Sequence, residues 1–161
     1  MLIIAAADLL KIERFARDAY PEECCGILVG VRGDARRVVS VHPTANMAPQ
    51  GTRDSYLIDP RDMERTLERL QAPLEVLGFY HSHPDFPPVP SAKDALQAWH
   101  NYSYLIVSVR GGEPIASRSW HWPDPGRGYE QETVQIIPAG RRFTGTLEAL
   151  RRRVQPQVAG G

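Results

Sequence analysis

The sequence contains little cysteine and no long apolar run, and both absences limit what the protein can be. The only cysteines, Cys24 and Cys25, are adjacent, so they cannot join distant segments through disulfide bonds. No segment approaches the roughly 20 consecutive apolar residues of a membrane-spanning helix. The apolar stretch 1–7 has no basic region before it and continues into charged residues, which does not match a signal peptide. We therefore expect a soluble protein of the reducing cytoplasm that does not enter membranes.

The chain also lacks an excess of charge of either sign. It contains 19 basic and 19 acidic residues, which gives a formal net charge of zero. Proteins that bind nucleic acid or anionic membranes through charge usually carry a basic excess, so neither partner is expected. The 161 residues, 42% of them hydrophobic, are enough for one domain with a buried core. We place that domain at residues 1–140 and expect a basic helix and tail over 141–161.

Hydrophobic periodicity predicts helices and strands that alternate along the chain. The predicted helices are 8–20, with Asp8 as N-cap and Pro21 as terminator, 60–71 and 91–100. The predicted strands are 23–31, 36–42, 55–58, 74–80, 104–109, 115–122 and 131–137. The segment 43–54 is rich in turn formers, which indicates a surface loop. Helices interleaved with strands, several of them paired in hairpins, indicate a mixed α/β layered domain.

The clearest chemical signal comes from two histidines and an aspartate. His81 and His83 are two residues apart at the end of a predicted strand, so both side chains point to the same side. Asp94 lies in the first turn of the next helix and can complete a set of three. Such a set, with a fourth position open, is typical of catalytic zinc, whereas structural zinc more often has four ligands rich in cysteine. The intervening segment 84–90 contains four prolines, which hold its backbone rigid.

Zinc-dependent hydrolysis also requires a base, and two adjacent glutamates are candidates. Glu22 and Glu23 precede the first predicted hairpin, and because neighbouring strand residues point to opposite faces, at most one can face the metal.

The histidines and the helix start each have a structural alternative. Either histidine alone would more often be an ordinary strand-end residue. Ser91 and Asp94 have the spacing of a capping box, and as an isolated pair they would be assigned that role first. The upstream histidines favour metal binding for Asp94, and Ser91 can serve in both roles.

The sequence contains a pattern that resembles the JAMM motif of the MPN+ zinc metallopeptidases, with no position missing. The pattern is a glutamate, then His-Ser-His, seven residues, a serine, two residues and an aspartate. The family's glutamate stands three residues before a glycine, which in 21–26 is the position of Glu23. The resemblance covers roughly residues 5–125 and implies Glu23 as general base and Ser91 as the residue that stabilises the oxyanion. The implied ligands of one Zn²⁺ are His81, His83 and Asp94. The implied fold is a mixed β-sheet sandwiched by helices, related to that of cytidine deaminases.

The resemblance also implies a substrate class. The chain is most similar to small freestanding bacterial members, several of which cleave ubiquitin-like sulfur-carrier proteins after a C-terminal diglycine. The expected function is therefore hydrolysis of a peptide or isopeptide bond that follows such a diglycine. The alternative is a zinc-containing module that binds a ubiquitin-like partner without cleaving it. A zinc nucleobase deaminase is excluded because His-x-Glu and Pro-Cys-x-x-Cys do not occur in the sequence.

Overall fold

The computed structural model describes residues 1–49, 53–124 and 126–138. Within these ranges the helices are α1 (Ala6–Ala19), α2 (Pro60–Arg69) and α3 (Ala92–Gln97). The strands are β1 (Leu2–Ala5), β2 (Cys25–Arg32), β3 (Arg36–Thr44), β4 (Glu75–Pro84), β5 (Tyr102–Arg110), β6 (Glu113–Trp122), β7 (Glu130–Glu132) and β8 (Val134–Ile137). The predicted basic helix and tail over 141–161, and the boundary at 140, lie outside the described residues. In the described part of the chain, no helix has the length and apolar character needed to span a membrane.

All eight strands join one mixed sheet in the order β7-β6-β5-β4-β2-β3-β1-β8. β1 runs parallel to β3 and to β8, β4 runs parallel to β5, and the other neighbours are antiparallel. β7 and β8 lie at opposite edges of the sheet although only Thr133 separates them in the chain. The sheet therefore curves until its two edges meet. A hydrogen bond from the Leu2 N–H to the Thr133 carbonyl (2.9 Å) lies at this junction.

Different helices cover the two faces of the sheet. The face under α1 buries an aliphatic cluster that includes Leu9, Ile12, Leu28, Leu77 and Leu105. The face under α2 buries a second cluster that includes Ile27, Val29 and Phe79, with Met63 and Leu70 packed against it. Because strand side chains alternate, the histidines two and four residues after Phe79 point to the α2 face. The prediction of a mixed sheet between helices is confirmed.

The first helix begins earlier than predicted. Ala5 is the N-cap residue and the helix begins at Ala6, so the prediction of Asp8 as N-cap is wrong. The apolar run before the helix is strand β1, and no loop separates the two elements. Asp8 lies in the first turn, near the positive end of the helix dipole, and accepts a hydrogen bond from Lys11 (2.7 Å).

Two predicted strands also differ from the structure. The segment 55–58 forms no strand, and its pairing is limited to an isolated bridge between Asn46 and Ile58. The segment 131–137, predicted as one strand, is divided between β7 and β8. The division follows from the closure of the sheet, since the chain leaves one edge at Thr133 and joins the other.

The third helix is shorter than predicted, ending at Gln97 instead of near His100. The hydroxyl of Tyr104 engages the backbone of Trp99 in both directions. It accepts from the Trp99 N–H (2.6 Å) and donates to the Trp99 carbonyl (3.0 Å). These bonds use the backbone groups that a longer helix would need for itself.

Candidate metal centre

Strand β4 and helix α3 bring the three predicted ligands together. The Nε2 atoms of His81 and His83 are 3.0 Å apart. The Oδ1 atom of Asp94 lies 3.3 Å from His81 Nε2, and its Oδ2 atom lies 3.5 Å from His83 Nε2. All three side chains are buried, so their donor atoms converge in a place that is nearly closed to solvent.

These separations fit one metal ion of the size of zinc. A tetrahedral zinc with bonds of about 2.0–2.1 Å places its ligand atoms about 3.3 Å apart. The Nδ1 atom of His83 lies 2.9 Å from the Pro87 carbonyl and donates its proton there, which leaves the Nε2 lone pair free for a metal. Burial raises the pKa of Asp94, but in the metal-free protein the hydrogen bonds from the two imidazoles outweigh burial and the pKa is lowered overall.

The start of α3 forms the capping box that the sequence offered as one alternative for Ser91 and Asp94. The Ser91 hydroxyl accepts from the Asp94 N–H (3.1 Å), and Asp94 Oδ2 accepts from the Ser91 N–H (2.6 Å). This reciprocal pair is a capping box. The same carboxylate faces both histidines, so the cap holds it in a fixed orientation toward the metal centre.

Glu23 lies beside this cluster. It stands two residues before Cys25, which begins β2 and pairs directly with His81 of β4. The Glu23 side chain is 5% exposed, and its Oε2 atom has no hydrogen-bond partner among the described residues. Burial raises the pKa of Glu23 to about 8, with His83 lowering it and Asp94 raising it. Glu22 is less buried than Glu23.

Two residues that sequence reasoning missed hold the centre from the α2 side. The Tyr56 ring stacks on the His81 imidazole with centroids 4.3 Å apart and planes 21° apart. The Asn46 amide donates to the carbonyls of Glu23 and Ser55, both at 3.0 Å. Its oxygen accepts from the N–H groups of Ala48 (3.1 Å) and Leu57 (3.0 Å). No motif spacing marks either residue, because these contacts depend on the path of the loop after β3.

The two cysteines take no direct part in the cluster. Both are free thiols. Burial raises the pKa of Cys24 to about 12 and that of Cys25 to about 11, so neither is a thiolate nucleophile at neutral pH. The backbone of Cys24 has a positioning role, because its N–H donates to the Ser82 hydroxyl (2.9 Å) and its carbonyl accepts from the Ser82 N–H (3.0 Å).

Comparison with curated proteins shows similarity to named relatives. The chain is 45% identical over 93 residues to a desampylase of Haloferax volcanii, covering 56% of this chain and 66% of that protein. It is 34% identical over 84 residues to a probable TtuB-protein conjugate cleaving protease of Thermus thermophilus, covering 52% of this chain and 56% of that protein. The chain thus spans less than two thirds of the length of each of these relatives.

Solved structures share the fold over most of the chain. A protein of Desulfitobacterium hafniense, solved in solution, is 30% identical with a TM-score of 0.74, and the match covers 86% of this chain and 94% of that one. A JAB1/MPN domain protein of Archaeoglobus fulgidus is 18% identical with a TM-score of 0.52, and the match covers 85% of this chain and 99% of that one, which shows the MPN fold. The family model of the prokaryotic homologs of the JAB domain matches residues 6–123. The chain therefore belongs to the prokaryotic JAB-domain family.

Proposed function

We propose that the protein is a zinc metallopeptidase that hydrolyses a peptide or isopeptide bond after the C-terminal diglycine of a ubiquitin-like sulfur-carrier protein. The observation that supports this most strongly is the buried set of His81, His83 and Asp94 with Glu23 beside it, whose Oε2 atom has no hydrogen-bond partner among the described residues. The names of the relatives, a desampylase and a probable conjugate-cleaving protease, support a protein conjugate as substrate. Free cysteines fit a reducing compartment such as the cytoplasm.

In this proposal each site residue has a separate task. His81, His83 and Asp94 hold one Zn²⁺, which when bound polarises a carbonyl oxygen and acidifies water. Glu23 takes a proton from the attacking water and passes it to the leaving amine. The Ser91 oxygen already accepts from a backbone N–H, so its hydroxyl hydrogen remains available to the oxyanion.

Metal content and turnover of two variants test the proposal. Elemental analysis should find about one zinc per wild-type chain and little in His83→Ala, which lacks one ligand. Glu23→Gln should retain the zinc and lose turnover of a diglycine-linked conjugate by about 10²–10⁴-fold. Zinc that is absent from the wild type and not restored by dialysis would remove the basis of the proposal.

The Glu23→Gln variant also distinguishes an enzyme that hydrolyses the conjugate from a module that only binds it. A module that only binds a ubiquitin-like partner has no use for a buried carboxylate oxygen that lacks a hydrogen-bond partner among the described residues, because such an atom is unfavourable to bury. Glu23→Gln would leave such a module unchanged. Equal behaviour of Glu23→Gln and wild type in turnover and binding would therefore favour the binding module.

A further inference from the structure

A second concave surface lies on the same face of the sheet as the metal centre. It is a cleft of about 300 Å³ between β3 and α2, here called the α2–β3 cleft. Its lining includes Ser40, His42, Thr44, Asp62, Arg65 and Arg69. At one end, the Thr44 hydroxyl contacts the Cys25 thiol (3.3 Å), and Cys25 is paired with His81. The cleft therefore begins next to the metal centre in the sheet.

The charges of the cleft do not balance. Asp62 is fully engaged, because its carboxylate accepts from Arg65 (3.0 Å) and from the Ala45 N–H (3.3 Å). The Arg69 guanidinium makes no hydrogen bond or ion pair with any residue that the structure describes. Burial and the nearby charge of Arg69 both lower the pKa of His42, which favours its neutral form. Two guanidinium groups thus face one carboxylate, and the cleft keeps a positive charge.

We infer that the α2–β3 cleft binds an acidic segment of the ubiquitin-like partner, an inference that rests on the proposed function. Arg65 and Arg69 are four residues apart on one helix, so they are neighbours on its surface. The planar guanidinium group matches a carboxylate with two parallel hydrogen bonds. A protein whose tail enters the metal centre brings its own surface against the adjoining cleft. Carboxylates on that surface then neutralise the positive charge of Arg65 and Arg69 that Asp62 alone does not balance.

Peptide binding tests this without any need for turnover. The probes are a fluorescein-labelled decapeptide with four glutamates ahead of a terminal Gly-Gly, and the same peptide with four glutamines. By fluorescence anisotropy, the full-length wild type should bind the glutamate peptide about fivefold more tightly. Arg69→Glu should abolish this preference. The Arg69 side chain has no hydrogen bond or ion pair to lose among the described residues, so the substitution is not expected to disturb the fold.

The matched control is Arg14→Glu. Arg14 is also exposed and also without a described hydrogen bond or ion pair, but it lies on α1, on the opposite face of the sheet. Arg14→Glu should keep the preference for the glutamate peptide. The inference fails if the wild type binds both peptides equally or neither, or if the two variants lose the preference to the same extent. Failure of the proposed function would appear separately, in zinc content and in the turnover of Glu23→Gln.

Discussion

At the scale of single residues, Glu23 is held in surroundings that are unfavourable for a carboxylate. Its buried Oε2 atom has no hydrogen-bond partner among the described residues, and a buried polar atom without a partner destabilises a fold. Loss of hydration raises its pKa to about 8, close to the pH at which a general base must both take and release a proton. The same burial that makes Glu23 a poor structural residue makes it suited to proton transfer.

The raised pKa makes the stability of the metal-free protein depend on pH through Glu23. The unfolded chain releases this proton near pH 4.5 and the folded chain near 8, so between these values only the folded state holds it. The contribution of this proton to the stability of the folded state is complete below pH 4.5 and is lost as the pH rises toward 8. After chelation, Glu23→Gln should therefore gain urea resistance over wild type at pH 8 and show a smaller difference at pH 5. A difference that does not change with pH would contradict this.

Asn46 is a second single residue with a large effect, because its one amide group holds two chain segments in place. Asn46→Asp keeps the shape of the side chain but loses both N–H donors, to Glu23 and to Ser55. We expect a loss of about 1–3 kcal/mol in unfolding free energy, because buried carbonyls lose their partners. Zinc should be retained and kcat should fall about tenfold or more as Glu23 shifts. Wild-type kcat in Asn46→Asp would show that the amide does not position the base.

At the scale of elements, the loop between the ligands is fixed by its neighbours as well as by its prolines. The Ser108 hydroxyl donates to the Phe86 carbonyl (2.6 Å), and the Trp120 indole donates to the Pro88 carbonyl (3.0 Å). Asp85, where the loop begins, has a left-handed backbone with φ of 62°. The loop therefore sets the distance between strand and helix through contacts that come from β5 and β6.

Asp85 allows a test of this anchoring. Its carboxylate accepts from the Tyr20 hydroxyl (3.0 Å) and the Gly111 N–H (3.2 Å). Asp85→Ala loses both acceptors and places alanine in a left-handed conformation, so urea unfolding should show a loss of about 1–2 kcal/mol. Asp85→Asn tolerates the same backbone and retains an acceptor oxygen, so its loss should be smaller. Equal losses of unfolding free energy in the two variants would show that the left-handed backbone at Asp85 does not contribute to the difference.

The elements that the sequence predicted are those whose evidence is local. The apolar run in β5, the hairpin of β2 and β3, and the ligand spacing can each be recognised within a short window. β1 was missed because its four apolar residues lead into a helix without a turn signal. Tyr56 and Asn46 were missed because their roles depend on where the loop after β3 crosses the site. Contacts between distant segments leave no period or motif in a single sequence.

At the scale of the molecule, the fold depends on the closure of its sheet. Glu132, at the end of β7, accepts from the Ser119 hydroxyl (2.8 Å) of β6 and pairs with Arg36 of β3 (3.5 Å). Arg36 in turn contacts His121 of β6. β6 and β3 lie near opposite edges of the sheet, so this cluster connects the two edges where the chain passes from β7 to β8.

Two carboxylates provide a comparison between a buried and an exposed ion pair. The Glu132 and Arg36 side chains are 6% and 15% exposed, whereas those of Glu113 and Arg17 are 70% and 50% exposed. Glu132→Ala leaves a guanidinium buried without its carboxylate, and removal of one partner from a buried pair costs about 3–5 kcal/mol. Glu113→Ala removes a pair screened by water, and the expected change is below about 1 kcal/mol. Urea unfolding of both variants measures the contrast. If the two losses are similar, the closure of the sheet does not depend on Glu132.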